Sequence, residues 1–126
     1  MKPIHQSIVQ NYVDAYNRFD IDGMMQDFHP DIIFENVAND VVALKTEGID
    51  AFRKQAESAL GFFSEREQRI TSWGSQYDVV SIDIDYKATL QVDLPNGMKT
   101  GDVMELKGKS VFTIMNDKII MIQDIS

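Results

Sequence analysis

Any chemistry in this 126-residue chain depends on oxygen and nitrogen side chains, because the sequence contains no cysteine. A carboxyl group such as that of Asp124 could exchange a proton if it were buried, a tyrosine such as Tyr12 could donate a hydrogen bond, and an amide such as Asn36 could position a ligand oxygen. The two histidines are not spaced as metal ligands, and the sequence has no Gly-rich phosphate loop and no Ser-His-Asp order. We therefore expect acid/base or binding chemistry without a metal or another cofactor.

Length and composition predict one globular domain over residues 1–126. A net charge of −8 disfavours nucleic acid, whose phosphates are bound by Lys and Arg. No apolar run approaches the roughly 20 residues of a membrane span, and we expect no signal peptide, because residues 1–3 lack the apolar core of one. The expectation is a cytoplasmic protein that binds neither nucleic acid nor membrane.

The first half of the chain predicts three helices and a strand. Apolar residues at three- and four-residue spacing mark a first helix after Pro3, with His5 expected to be exposed, and Asp20 is a plausible N-cap for a short second helix. Residues 32–36 are extended, residues 37–46 form a loop or irregular strand, and a third helix opens at Glu47-Gly48. The expected apolar stripe of the first helix is Ile4, Ile8, Tyr12, Ala15, Tyr16 and Phe19.

The second half predicts antiparallel strands. Strict alternation from Val80 to Leu94 indicates one long strand, and Pro95-Asn96-Gly97 favours a tight turn. A return strand follows, and Asn116-Asp117 turns into the last strand. Helices followed by strands indicate the α+β class.

The last hairpin is apolar on both faces. The residues expected to point outward are Val111, Thr113, Ile119 and Met121, whereas Ile120 and Ile122 are expected to point to the inner face. A hairpin of this kind needs cover on both sides, and we expect a second copy of the chain, in a homodimer, to supply the outer cover.

Residues 8–36, with the corner His29-Pro30-Asp31 and the later helix and β-meander, resemble the nuclear-transport-factor-2-like superfamily. That superfamily includes SnoaL-like polyketide cyclases and ketosteroid isomerases. The resemblance implies a cone-shaped α+β fold, with three N-terminal helices packed on a curved antiparallel sheet and a cavity at the open end. His29 then has a structural role in the corner.

The resemblance also assigns candidate roles. Tyr12 aligns with the isomerase tyrosine that donates to the developing enolate, Asn36 with the aspartate that shuttles the proton, and Ser110 with the second oxyanion donor. Because an amide cannot act as a general base, we predict that steroid isomerase activity is absent. Tyr12 could equally be a core tyrosine whose hydroxyl is satisfied by a neighbour.

Asp124 is the remaining candidate acid. Residues 118–124 resemble the final strand of the SnoaL-like cyclases, in which an acidic residue points into the cavity as the general acid/base. A strict two-residue turn at Asn116-Asp117 would turn Asp124 outward, whereas a three-residue bulged turn would turn it inward, where its pKa would rise. A solvated acid near the C-terminus is the alternative.

Two functions remain open at this point. The first is a small-molecule-binding domain with an apolar cavity, non-enzymatic or of unknown activity. The second is a small cofactor-independent enzyme of cyclase, isomerase or hydratase type that acts on an apolar carbonyl or hydroxyl compound, with Asp124 as acid/base and Tyr12 and Asn36 as positioning donors. Asn36 and Ser110 stand where the isomerases carry carboxyl groups, and the absence of these two groups favours the first function. A buried, inward Asp124 would favour the second. The expected cavity lining is Tyr12, Tyr16, Phe34, Asn36, Gln55, Ile84, Tyr86, Ser110 and Phe112.

Overall fold

The computed structural model describes all 126 residues and has the predicted α+β composition, with three helices and six strands. No helix is both long and apolar enough to cross a membrane. In chain order the elements are α1 (Pro3–Asn17), α2 (Ile21–Met24), β1 (Phe28–Ala38), β2 (Val41–Glu47), α3 (Ile49–Leu60), β3 (Phe63–Gln76), β4 (Val79–Leu90), β5 (Val103–Met115) and β6 (Lys118–Ile125).

All six strands belong to one sheet in the order β2-β1-β6-β5-β4-β3. The third helix begins at Ile49, close to the expected start at Glu47-Gly48. One feature differs from the expected antiparallel sheet: β1 pairs with β6 in parallel, although every other pair is antiparallel. β1 lies second from one edge of the sheet, and its inner neighbour is β6, which the chain reaches only after α3 and the strands β3 to β5. This places Asn36 of β1 directly beside Asp124 of β6.

Helix α1 buries a different stripe from the one predicted. Ile8 and Tyr12 are buried as expected, but Ile4 is 48% exposed and His5, expected to be exposed, is only 3% exposed. The helix is therefore rotated so that the positions following the predicted stripe, such as Val9 and Val13, also face the core. The sequence could not reveal this rotation because apolar residues occupy both sides of the stripe.

The turn between α1 and β1 is formed by local hydrogen bonds. The Asp20 carboxylate accepts a hydrogen bond from the Gly23 amide at 2.9 Å, which confirms the predicted N-cap of α2. The chain then enters β1 at Phe28, slightly before the corner at Pro30. The segment 37–46, left open between loop and irregular strand, is mostly strand, because Asn39 and Asp40 adopt the positive φ angles of a tight hairpin and return the chain as β2.

The long strand predicted over residues 80–94 ends earlier, at Leu90. Its inward alternation is confirmed, since Val80, Ile82, Ile84, Ala88 and Leu90 are all buried. Beyond Leu90 the chain forms a loop that includes the predicted turn, where Gly97 has a φ of 96°. The loop takes over because no strand is present to pair with the residues after Leu90.

The register of β6 combines both alternatives that the sequence left open. The turn is a strict two-residue one, because Met115 pairs with Lys118 and both turn residues have positive φ. A bulge follows at once, since Ile114 pairs with Ile119 but Thr113 pairs with Met121, so that Ile120 has no partner on β5. The extra residue turns Asp124 toward the helices, opposite Ser110. Ile119, predicted to point outward, is buried in the core because the two-residue turn pairs it with the inward Ile114 before the bulge. Ile120, expected to face inward, is instead the bulged residue.

A matched pair on α1 tests the corrected stripe. Replacing the buried Ile8 by Ala should lower the free energy of unfolding by about 2–5 kcal/mol, because it leaves a cavity in the core. Replacing Ile4, one turn earlier and half exposed, should change it by about 0.5 kcal/mol or less. Urea unfolding followed by circular dichroism measures both, and equal losses would show that the helix is rotated differently.

Candidate functional site

The inner face of the sheet and the helices line two adjoining cavities that are open to solvent. The inner cavity has a volume of about 170 Å3 and the outer one about 320 Å3, and both are bordered by Tyr16, Asn36 and Asp124. The inner cavity is also lined by Tyr12, Met24, Phe34, Phe52, Gln55, Ala56, Ala59 and Arg66. The outer cavity is completed by Phe63, Gln68, Ile84, Tyr86, Leu106, Lys107, Gly108, Lys109, Ser110, Ile125 and Ser126.

The carboxyl group of Asp124 lies at the junction of the two cavities. Its Oδ1 atom accepts a hydrogen bond of 2.6 Å from the Ser110 hydroxyl, while Oδ2 has no hydrogen-bond partner in the protein. Burial raises the pKa of Asp124 to about 6, and the Ser110 hydrogen bond opposes this rise by stabilising the carboxylate. The group is therefore able to take up and release protons near neutral pH.

Tyr12 presents a free hydroxyl to the inner cavity. Its side chain is 4% exposed, with its ring stacked 6.0 Å from that of Phe28 and edge-on, at 5.5 Å, to that of Phe112. The hydroxyl makes no hydrogen bond within the protein, although its oxygen is not sealed off, since the one fully enclosed polar side-chain atom without a partner is the hydroxyl of Thr46. Burial, and next the charge of Asp124, raise the pKa of Tyr12 well above its usual range, so the phenol remains a hydrogen-bond donor.

Asn36 stands beside Asp124 because the two are register partners on the parallel strands β1 and β6. Its side chain makes no hydrogen bond to the protein and borders both cavities. An amide in this position can donate to or accept from a ligand without adding charge next to the carboxyl group.

Tyr16 and Tyr86 close the boundary between the cavities on the opposite side. Their hydroxyl groups form a hydrogen bond of 2.9 Å that joins α1 to β4. Burial raises the pKa of both tyrosines, so that neither ionises at physiological pH.

The structure thus brings eight of the nine predicted lining residues to the two cavities. Phe34 and Gln55 line the inner cavity, whereas Ile84 and Ser110 line the outer one. The ninth, Phe112, is fully buried and packs edge-on against Tyr12, so it supports the ring of Tyr12 instead of lining the cavity.

Arg66 is the cavity residue that the sequence did not indicate. It lies on β3 opposite Ala88, is 7% exposed and lines the inner cavity. The charged stretch of β3, Ser64 to Arg69, has the composition of an exposed strand, so nothing in its pattern distinguishes an inward arginine. Only the pairing of β3 with β4 reveals which charged residue faces inward.

Other polar groups are poor candidates for a site. No three His, Asp or Glu side chains cluster in a way that could hold a metal ion. His29 stays in the corner, where its Nδ1 atom accepts a hydrogen bond from the Asp31 amide. A groove of about 560 Å3 on the outer face of the sheet is lined mainly by charged residues that pair with one another, such as Asp85 with Arg69 and Lys107.

Comparison with known proteins identifies the family of this chain and structures that share its fold. The model of the SnoaL-like domain family matches residues 9–122. No protein of curated function matches the sequence.

Several solved structures share the fold. A proposed polyketide cyclase from Xanthomonas campestris is 16% identical, with a TM-score of 0.83, and the match covers 98% of this chain and 90% of the other. AclR, a proposed hydroxylase from Streptomyces galilaeus, is 21% identical, with a TM-score of 0.75 and coverage of 95% and 86%. A proposed SnoaL-like polyketide cyclase from Jannaschia is 14% identical, with a TM-score of 0.82 and coverage of 98% and 88%. At these identities the likeness concerns the fold alone.

The Ser110 hydrogen bond provides a test of the environment of Asp124. Because this bond stabilises the carboxylate, Ser110→Ala should raise the pKa of Asp124 above its value of about 6 in the unchanged protein. Titration of the carboxyl carbon by NMR measures both values. A pKa near the usual 3.8 in the unchanged protein, or a lower pKa in the variant, would contradict the buried position.

Proposed function

The chain belongs to the SnoaL-like domain family, and we propose that it is a small cofactor-independent enzyme that moves a proton on an apolar carbonyl or hydroxyl compound. The observation that carries this proposal is the position of Asp124. A carboxyl group at the junction of two cavities, with a pKa near 6 and one free oxygen, has the properties of a general acid/base. This favours the enzyme over the purely ligand-binding domain, which would need no such group.

The proposed step is removal of a proton from the carbon next to a carbonyl group. The Asp124 carboxylate takes the proton, and the electron pair of the broken C–H bond passes into the enolate. The Tyr12 hydroxyl donates a hydrogen bond to the developing enolate oxygen, and Asn36 positions a second polar group of the ligand. Protonated Asp124 then returns the proton to another carbon or to a hydroxyl group that leaves as water.

The surroundings of the site favour this step. The inner cavity is walled by aromatic and aliphatic side chains, including Phe34, Phe52 and Met24, which hold an apolar molecule and keep the dielectric low. In such a site a hydrogen bond from Tyr12 to a developing charge is stronger than in water. The combined size of the two cavities fits a molecule of one or two rings.

Hydrogen exchange on a simple ketone tests the proposed acid/base role. The protein should accelerate the exchange of the acidic C–H protons of phenylacetone in deuterium oxide, followed by NMR. Asp124→Asn should reduce the acceleration by about 10²–10⁴-fold and Tyr12→Phe by roughly 10²–10³-fold. Asp40→Asn, an exposed control in the β1–β2 turn, should leave it unchanged.

The outcome separates the two candidate functions. The enzyme would be supported if Asp124→Asn lost the accelerated exchange and Asp40→Asn kept it. If the ketone bound, shown by shifts of amide signals around the cavity, and no exchange were accelerated, the enzymatic proposal would be wrong and the domain would be a binding module.

We also propose that the active form is a homodimer. On the outer face of the sheet, Ile33, Met121, Thr113 and Val79 stand side by side across four strands, and the helices all lie on the other face. This row is apolar apart from the threonine, and its exposure to water would be unfavourable. A second copy of the same surface would cover it through a two-fold contact.

Sedimentation of matched methionine variants tests the dimer. The unchanged protein should sediment as a dimer at micromolar concentration, and Met121→Asp should sediment as a monomer because it places a charge in the proposed contact. Met115→Asp, at the exposed β5–β6 turn, should remain dimeric. A monomeric unchanged protein would contradict the proposal.

A further inference from the structure

Arg66 is a buried cation without an anionic partner. It is 7% exposed and forms no ion pair, whereas Arg18, Arg53 and Arg69 each pair with a carboxylate. Taking a guanidinium out of water is costly unless its charge and its N–H groups are matched. The protein itself supplies only part of that match.

The contacts of Arg66 hold its guanidinium in one orientation. Nε donates a hydrogen bond of 2.9 Å to the carbonyl oxygen of Tyr16, at the end of α1. The guanidinium carbon lies 3.7 Å from the centre of the Tyr16 ring and 4.5 Å from that of Phe19. These contacts leave both terminal nitrogens without a hydrogen-bond partner in the protein, and neither is fully enclosed. The unused donors thus belong to a side chain that lines the inner cavity and that also borders a groove beside Glu65, Glu67 and Lys87, and it forms no ion pair with either glutamate.

Asp124 does not fill this role. It lines the same cavity, but its oxygens are more than 4.0 Å from the arginine, since no ion pair joins them, and its own hydrogen bond comes from Ser110. The charges of both Asp124 and Arg66 act on Tyr12, which therefore lies within reach of the two groups. The inner cavity thus carries a fixed cation on one wall and a proton-exchanging carboxyl group on another.

We propose that the ligand is a small organic acid with an apolar, preferably aromatic, body, whose carboxylate is bound by the terminal nitrogens of Arg66. A guanidinium presents parallel N–H donors that match the two oxygens of a carboxylate. With the carboxylate held there, the body of the ligand lies among Phe34, Phe52 and Met24, and its reacting carbon is directed toward Asp124 and Tyr12. This inference names the substrate class of the proposed enzyme and rests on that proposal.

The walls of the cavity favour a carboxylate over a phosphate. A phosphate offers more acceptor oxygens and more charge than one guanidinium can match, and the remaining walls of the inner cavity are mainly apolar. The volume of about 170 Å3 accommodates a single ring and a short side chain.

Titration calorimetry with an acid and its neutral amide tests the charge requirement. Hydrocinnamate should bind about ten- to a hundredfold more tightly than hydrocinnamamide, the range expected when a charged hydrogen bond is lost. Arg66→Gln should remove this preference, and Arg66→Lys should keep part of it by retaining the charge. Arg69→Gln, on the same strand but on the outer face, should bind like the unchanged protein.

The two probes also distinguish this inference from the proposed function. Equal binding of acid and amide by the unchanged protein would overturn the inference while leaving a functional cavity in place. Equal binding of the acid by the unchanged protein and by Arg66→Gln would overturn it as well. If neither probe bound at millimolar concentration, the inference would fail, whereas the proposed function would still be judged by the phenylacetone exchange. If Arg66→Gln did not fold, two other measurements would decide whether Arg66 binds the carboxylate. They are the preference of the unchanged protein for the acid over the amide and the reduction of that preference in Arg66→Lys.

Discussion

The site depends on the register of one strand. Side chains of a strand alternate between faces, so the single unpaired residue Ile120 determines whether Asp124 meets the cavity or the solvent. The bulge lies directly after a tight turn, and the parallel pairing of β6 with β1 holds the shifted strand in place. The same register sets Asp124 against Ser110 on one side and Asn36 on the other. One inserted residue therefore assembles three of the polar groups at the junction of the cavities.

Burial of the Asp124 carboxyl group has a thermodynamic consequence. Its pKa in the folded chain is raised to about 6 from 3.8, so the folded state prefers the protonated form. For such a group the favourable contribution is complete below pH 4 and is lost as the pH rises through 6. At neutral pH the loss is on the order of 3 kcal/mol. A group that lowers stability under working conditions is typical of a functional site, because a purely structural position would favour a neutral side chain.

Arg66 and Asp124 line the same cavity without pairing with each other. Tyr16 binds Arg66 through its carbonyl oxygen and its ring, and its hydroxyl is tied to Tyr86. The terminal donors of Arg66 and the free oxygen of Asp124 therefore remain unused by the protein, in a cavity with mainly apolar walls. These groups are open to the cavity and are available to the ligand that we propose.

The sequence determined the elements and most of the cavity wall, because apolar spacing and alternation report which face of a helix or strand is buried. It predicted the cap at Asp20, the inward face of β4 and the turn at Asn116-Asp117. It did not determine on which face of β6 Asp124 lies, because a bulge at Ile120 has no signature within a run of similar apolar residues. It also missed Arg66, since an inward arginine in a charged strand is indistinguishable from its outward neighbours. Both were decided by the exact register of a hairpin, β5 with β6 for Asp124 and β3 with β4 for Arg66, and that register is set only when the whole sheet packs on the helices.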